Sequence, residues 1–318
     1  MRSFFIALSK ADWAQRAITH WGFAWKMASR FIAGEQIDHA IQAVRELNRH
    51  GINATLDHLG ENTTRPEDAQ QAVEEIIQAL HTIDRENVRA NVSVKLSQLG
   101  LVLDEQQCRD RLGQILQEAG RLGIFVRIDM EDSSLTERTL NSYLWALSEG
   151  YDHTGIVIQA YLYRSESDIT RILEKNGRVR LCKGAYHEPA SLAFPLKKDV
   201  DASYDRLATR LLEGSQRAGS PQASPDGRFP PILALASHDE GRIRHGEAEV
   251  ERLRLPKTAI EFQMLYGIRR DLQETLAARQ YPVRVYVPYG THWYPYFMRR
   301  LAERPANLWF FLSNLFRK

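Results

Sequence analysis

Cysteine is almost missing from this chain: Cys108 and Cys182 are the only two among 318 residues. Two thiols allow at most one bridge, which excludes a disulfide-built secreted scaffold and fits a reducing, cytoplasmic setting. Long hydrophobic runs are missing too. No stretch approaches the roughly 18 to 20 apolar residues that cross a bilayer. The short apolar run in MRSFFIALSK falls below the ~7–15 residues of a secretion signal, so the N-terminus reads as unprocessed. LWFFLSNLF at 308–316 is greasy for an exposed tail, and reads as a docked helix or as a peripheral contact with the inner face of the cell membrane. There is no basic block. The 42 Lys and Arg are interspersed with 40 Asp and Glu, so no nucleic-acid surface is expected. With 19 glycines, 12 prolines and no low-complexity tract, a fibrous or disordered chain is excluded. G-x-G-x-x-G between an early strand and helix is also lacking, which weakens an open dinucleotide-binding sheet. His238 and Asp239 with only a distant His58 make a thin ligand set, and no metal is expected.

What is present is alternation. WAQRAITHWGFAWKMASRFIAG (13–34) and EQIDHAIQAVRELNRHG (35–51) place apolar residues three and four apart and end on glycine, so residues 1–50 read as a helical extension. The period then changes. INATLDHLG, NVSVKLS, IFVRIDM, GIVIQAYL, RVRLCKGAY, ILALASHD, IEFQMLYG and VRVYVPYG are short, rich in β-branched or aromatic residues, and bounded by turn formers. Segments of helical period such as 65–86 and 104–123 lie between them. Eight strands separated by helices predict an α/β fold, a closed TIM-type (βα)8 barrel over 51–318 forming a single domain. The gap from 188 to 231, with its turn-rich GSQRAGSPQASPDGRFPP, predicts a helix followed by a mobile insertion.

Chemistry in such a barrel gathers where strands run out into the following loops. Those ends carry Lys95, Asp129, Gln159, Arg180, Lys183, Tyr186 and His238, several of them polar groups inside apolar runs that need a partner. Structural ion pairs would explain any one of them. Near the C-terminus, Tyr296, Arg299, Arg300 and Glu303 fall within two helical turns. Adjacent guanidinium groups beside aromatic rings suit a planar carboxylate, and a solvated charged face is the alternative.

Eight of these strings, in order, resemble the proline dehydrogenase family: LDHLGE, VKLSQLG, RIDMED, RLCKGAY, ASHD, EFQMLYG, VRVYVPYG and YFMRRLAERPAN, spanning about 50 to 310. The resemblance implies a distorted (βα)8 barrel whose C-terminal helix lines the active site, binding FAD noncovalently and oxidising L-proline to 1-pyrroline-5-carboxylate. Electrons would pass to an acceptor such as a membrane quinone. A separate pyrroline-5-carboxylate dehydrogenase would take the product, since the chain has no room for the second module of bifunctional relatives. Arg299 and Arg300 would hold the substrate carboxylate with Lys95, and Asp129 would keep those charges in register. Tyr186, Tyr286 and Tyr296 would border the pyrrolidine ring, and Glu61 would gate the site by pairing with Arg299. Met130, Gln159, Arg180, Cys182, Lys183, Gly184, Ala185, Ser237, His238 and Glu303 would lie beside FAD. Departures from the family pattern are Cys182 and His187 in the fifth-strand motif, and Ser237 and Asp239 where Thr and Asn are usual. A barrel aldolase using Lys95 or Lys183 as a Schiff-base nucleophile, and a non-catalytic anion binder, are the other readings.

Overall fold

The computed structural model describes residues 22–60 and 63–303. Glu61 and the apolar tail at 308–316 lie outside the described residues, as does the side chain of Glu303. Two helices, α1 (Gly22–Ala28) and α2 (Ile37–Arg49), precede the barrel. The strands are β1 (Asn53–His58), β2 (Ala90–Val94), β3 (Val126–Ile128), β4 (Thr154–Gln159), β5 (Arg178–Cys182), β6 (Leu233–Ala236), β7 (Ile260–Leu265) and β8 (Val283–Tyr289). They close in sequence order into one parallel barrel. Closure sets Asn53 against Arg284 and His58 against Tyr289. Connecting helices are α3 (Pro66–Arg85), α4 (Glu105–Leu122), α5 (Thr136–Ser148), α6 (Ser165–Leu173), α7 (Lys197–Arg217), α8 (Glu240–Arg252) and α9 (Arg270–Ala278), and α10 (Trp293–Glu303) follows β8.

Local signals account for much of this. Pro66 opens α3 with Glu67 and Asp68 in its first turn, where a fixed φ and negative charge suit the orphan amides. Asp104 accepts from the Gln107 amide to start α4, and Gly123 at φ 62° ends it. Strands buried on both faces read as nearly continuous apolar runs. Of the first helical reading, 13–34, the part before Gly22 lies outside the described residues; within them α1 stops at Ala28 and the chain turns before α2.

Two packed cores orient the site. Ala40, Ile41 and Val44 of α2 join the main barrel core. Trp293, Phe297, Met298 and Leu301 of α10 pack instead on Met27, Phe31, Ile32, Leu59 and Ile268. That second cluster anchors α10 beside the barrel mouth. At the opposite end the 218–232 segment is pinned, in contrast to the mobility its composition predicts. Arg284 Nη2 donates to the Gly227 carbonyl (2.7 Å), Asn91 Nδ2 to that of Arg228 (3.2 Å), and Phe229 meets Phe125 edge-on. It plugs the N-terminal end of the lumen.

Candidate active site

A cavity of about 470 Å³ sits at the C-terminal ends of the strands. Its volume is within the range of small-molecule sites. Lys95 and Asp129 reach it just beyond β2 and β3, Gln159 and Cys182 end β4 and β5, and Ser237, His238 and Asp239 follow β6. Tyr286 comes from β8, while Tyr296, Arg299 and Arg300 descend from α10. Met130, Arg180, Lys183, Gly184, Ala185 and Tyr186 line it too, while Glu61 and the side chain of Glu303 lie outside the described residues. Residues spread over more than 200 positions of sequence therefore share one wall-to-wall space.

The polar contacts form an ordered network in the upper lumen. Lys95 Nζ donates to Asp57 Oδ1 (2.8 Å) and to the Tyr286 hydroxyl (3.2 Å), and stands 3.6 Å from Asp129 Oδ2. Tyr286 Oη donates in turn to Asp129 Oδ2 (2.7 Å). Asp129 Oδ1 accepts from Ser93 Oγ (2.8 Å) and Arg180 Nη1 (2.8 Å). Asp129 thus meets the charges of Lys95 and Arg180, whereas the expectation set it with Lys95, Arg299 and Arg300. Burial and the two nearby carboxylates push the Tyr286 phenol well above its ordinary value, so it stays protonated and acts as a donor. Gln159 is fixed at both ends: its Nε2 donates to the Glu131 carbonyl (2.7 Å) and its Oε1 accepts from the Ala185 amide (3.3 Å). His238 Nε2 accepts from the Leu265 amide (3.0 Å), which sets the neutral ring's proton on Nδ1. Arg300 lies over the Tyr296 ring, 5.2 Å from its centroid. Burial pushes the Cys182 thiol up to about 12, so this residue is an apolar wall and not a nucleophile.

Gly184 is required for a local reason. Its φ is +126°, and a Cβ there would lie 2.3 Å from Cδ1 of Tyr161. Asp57, Ser93 and Gln263 are the functional neighbours that sequence reasoning missed. Gln263 Oε1 accepts from Arg180 Nε (2.5 Å), and its Nε2 donates to Glu261 Oε1 (2.6 Å). Each is a polar residue inside an apolar strand run, the signal that had singled out Lys95. Among the described residues no cluster of three or more metal-ligating side chains occurs.

The proline dehydrogenase family model matches residues 40–311. The chain belongs to the proline dehydrogenase family. It is 41% identical over 292 residues to proline dehydrogenase 1 of Bacillus subtilis subsp. natto, covering 92% of this chain and 91% of that protein. It is 40% identical over 297 residues to the proline dehydrogenase of Deinococcus radiodurans, covering 92% and 90%. Among solved structures, proline utilization A from Bdellovibrio bacteriovorus, inactivated by N-propargylglycine, superposes with a TM-score of 0.79 at 27% identity. That match covers 88% of this chain and 33% of that longer protein. As a member of this family, the chain is a proline dehydrogenase.

Proposed function

We propose that the cavity oxidises L-proline to 1-pyrroline-5-carboxylate with noncovalently held FAD, the electrons passing on to a membrane quinone and the product to a separate dehydrogenase. The observation that carries this reading is convergence: the strand-end residues and the paired arginines of α10 line one cavity. The donor set suits a flavin dinucleotide. Arg180 and Lys183 are cations for an electron-rich ring or phosphates, His238 presents a ring N–H, and the backbone at Gly184–Ala185 lies open at the wall. Met130, Gln159, Cys182, Ser237 and Glu303 would complete the cofactor wall. When bound, FAD would supply the two-electron acceptor, taking a hydride from proline C5 at its N5.

The chain's own residues then have separable tasks. Arg299 and Arg300, with Lys95, hold the substrate carboxylate, because paired guanidinium groups offer parallel charge-assisted donors. Tyr186, Tyr286 and Tyr296 exclude water around the ring. Asp57 and Asp129 keep Lys95 and Arg180 in place before substrate arrives, so no reorganisation is needed at the reacting step. Glu61 would pair with Arg299 as a gate. Among the described residues no helix is long and apolar enough to cross a membrane, and the proposed quinone would be met peripherally from the cytoplasm.

The test is spectroscopic. The purified full-length protein is expected to show a flavin spectrum that bleaches anaerobically on adding L-proline. A flavin spectrum unmoved by proline refutes the substrate assignment. Borohydride trapping of Lys95 or Lys183 with no flavin present would favour Schiff-base chemistry instead.

A further inference from the structure

Behind Lys183, one wall of the cavity holds a cluster of charges whose carboxylates have no part in the reaction proposed above. Lys183 Nζ donates to Asp239 Oδ2 (2.7 Å) and to Asp201 Oδ1 (2.5 Å). Asp201 also pairs with Lys197 and stands 3.7 Å from Arg242 Nη1, and Arg242 Nε meets Asp205 Oδ1 at 2.8 Å. Three cations, Lys183, Lys197 and Arg242, thus face three carboxylates, Asp201, Asp205 and Asp239, and the cluster is formally neutral. Asp239 is the carboxylate of this group that lines the cavity. Its other oxygen, Oδ1, accepts from the Gly241 amide (3.0 Å) and caps α8.

A helix N-terminus opening on a cavity ordinarily favours an anion. Here the chain's own carboxylate occupies that position and also holds the lysine beside it. We propose that Asp239 sets the affinity of this site for its phosphate-bearing cofactor by competing with phosphate for Lys183. The proposal rests on the FAD reading above. An arriving phosphate must draw Lys183 away from two carboxylates, one of which, Asp239, is the negative charge that already occupies the α8 cap. The competition does not relax with pH: Lys183 holds the Asp239 carboxyl down at about 2, so it is charged under any working condition.

Asp239→Asn removes the charge while keeping an oxygen that can cap α8, since asparagine is as good an N-cap as aspartate. Removing one charge beside the phosphate, in an environment between protein and water, predicts roughly a tenfold tighter Kd for FAD. Asp201→Asn removes one of the two carboxylates on Lys183 without touching the cap, and is expected to tighten binding in the same direction. The measurement is recovery of flavin fluorescence as each full-length holoprotein is diluted to equilibrium. Tighter binding in either variant supports the competition. Values equal to or weaker than the unsubstituted protein's in both overturn it. A full-length protein that carries and binds no FAD overturns the reading beneath it, and is distinguished by the first spectrum.

Discussion

Asp57→Asn removes the carboxylate nearest to Lys95 among the described residues and takes one negative charge from the upper lumen. Asp57 is fully buried and Lys95 nearly so, at 2.8 Å separation. Removing one partner of a buried pair costs about 3–5 kcal/mol, because the remaining charge keeps its desolvation penalty. Lys95 retains the Tyr286 hydroxyl at 3.2 Å and Asp129 at 3.6 Å, which brings the expected loss to about 2–3 kcal/mol. At roughly 2–4 °C per kcal/mol for a large domain, the melting temperature falls by about 4–12 °C. Circular dichroism melts at fixed protein and FAD concentrations give the number, since bound ligand shifts the midpoint. Lys95→Met alone strands Asp57, whereas the double variant removes both charges and is expected to regain about 2 kcal/mol relative to the sum of the singles. A single Asp57→Asn variant that melts with the unsubstituted protein, or strictly additive singles, refutes the claim that this pair organises the lumen.

Arg300→Ala is expected to raise KM for L-proline roughly 30-fold, from about 2 kcal/mol of lost contact at a half-buried site, while flavin content changes little; an unchanged KM removes Arg300 from the carboxylate clamp. Gly184→Ala forces a Cβ toward Tyr161 at a φ that alanine rarely adopts, and a loss of about 1–3 kcal/mol in thermal stability is expected, with an unshifted melt counting against it. Burial lowers the His58 pKa below its ordinary value, against the pull of Glu75 and Asp57. The unfolded chain then binds more protons than the folded one as pH falls through about 6.5, so this group makes stability drop on acidification. Urea titrations at pH 7.5 and 5.5 are expected to show a smaller drop for His58→Gln, and an equal drop in both proteins contradicts the assignment.

The eight strands were legible because each is a short apolar run buried on both faces, and the strand-end rule then placed Lys95, Asp129 and Gln159 in the cavity. Boundaries were harder to see. IFVRIDM reads as seven extended residues, yet β3 spans Val126–Ile128, the three residues that pair with both β2 and β4. The 218–232 segment looked mobile from its Gly, Ser and Pro content. What holds it are carbonyl contacts from Arg284 and Asn91, 57 and 137 positions away in sequence, which no local window contains. Asp57 was passed over for a related reason. Its partner lies 38 residues on, and the two meet only once β1 and β2 pair with Asp57 opposite Ser93.

The lumen explains why these charges are tolerated. Barrel interiors are ordinarily filled by layers of branched aliphatic side chains. Here the N-terminal layer is an ion pair, Arg284 with Glu261, at 1% and 0% side-chain exposure. Glu261 Oε1 accepts from Gln263 Nε2, and Gln263 Oε1 accepts from Arg180 Nε, so the pair is linked through one amide to a cation at the cavity. Buried ion pairs are weak stabilisers compared with apolar packing of the same volume, so stability alone does not account for this column. Its geometric effect does. Arg180 is held by Gln263 below and Asp129 above, and its position at the cavity wall is fixed by the barrel before any ligand binds. A cation held in that way stabilises negative charge that develops nearby without first having to move, which is the electrostatic requirement of the proposed oxidation.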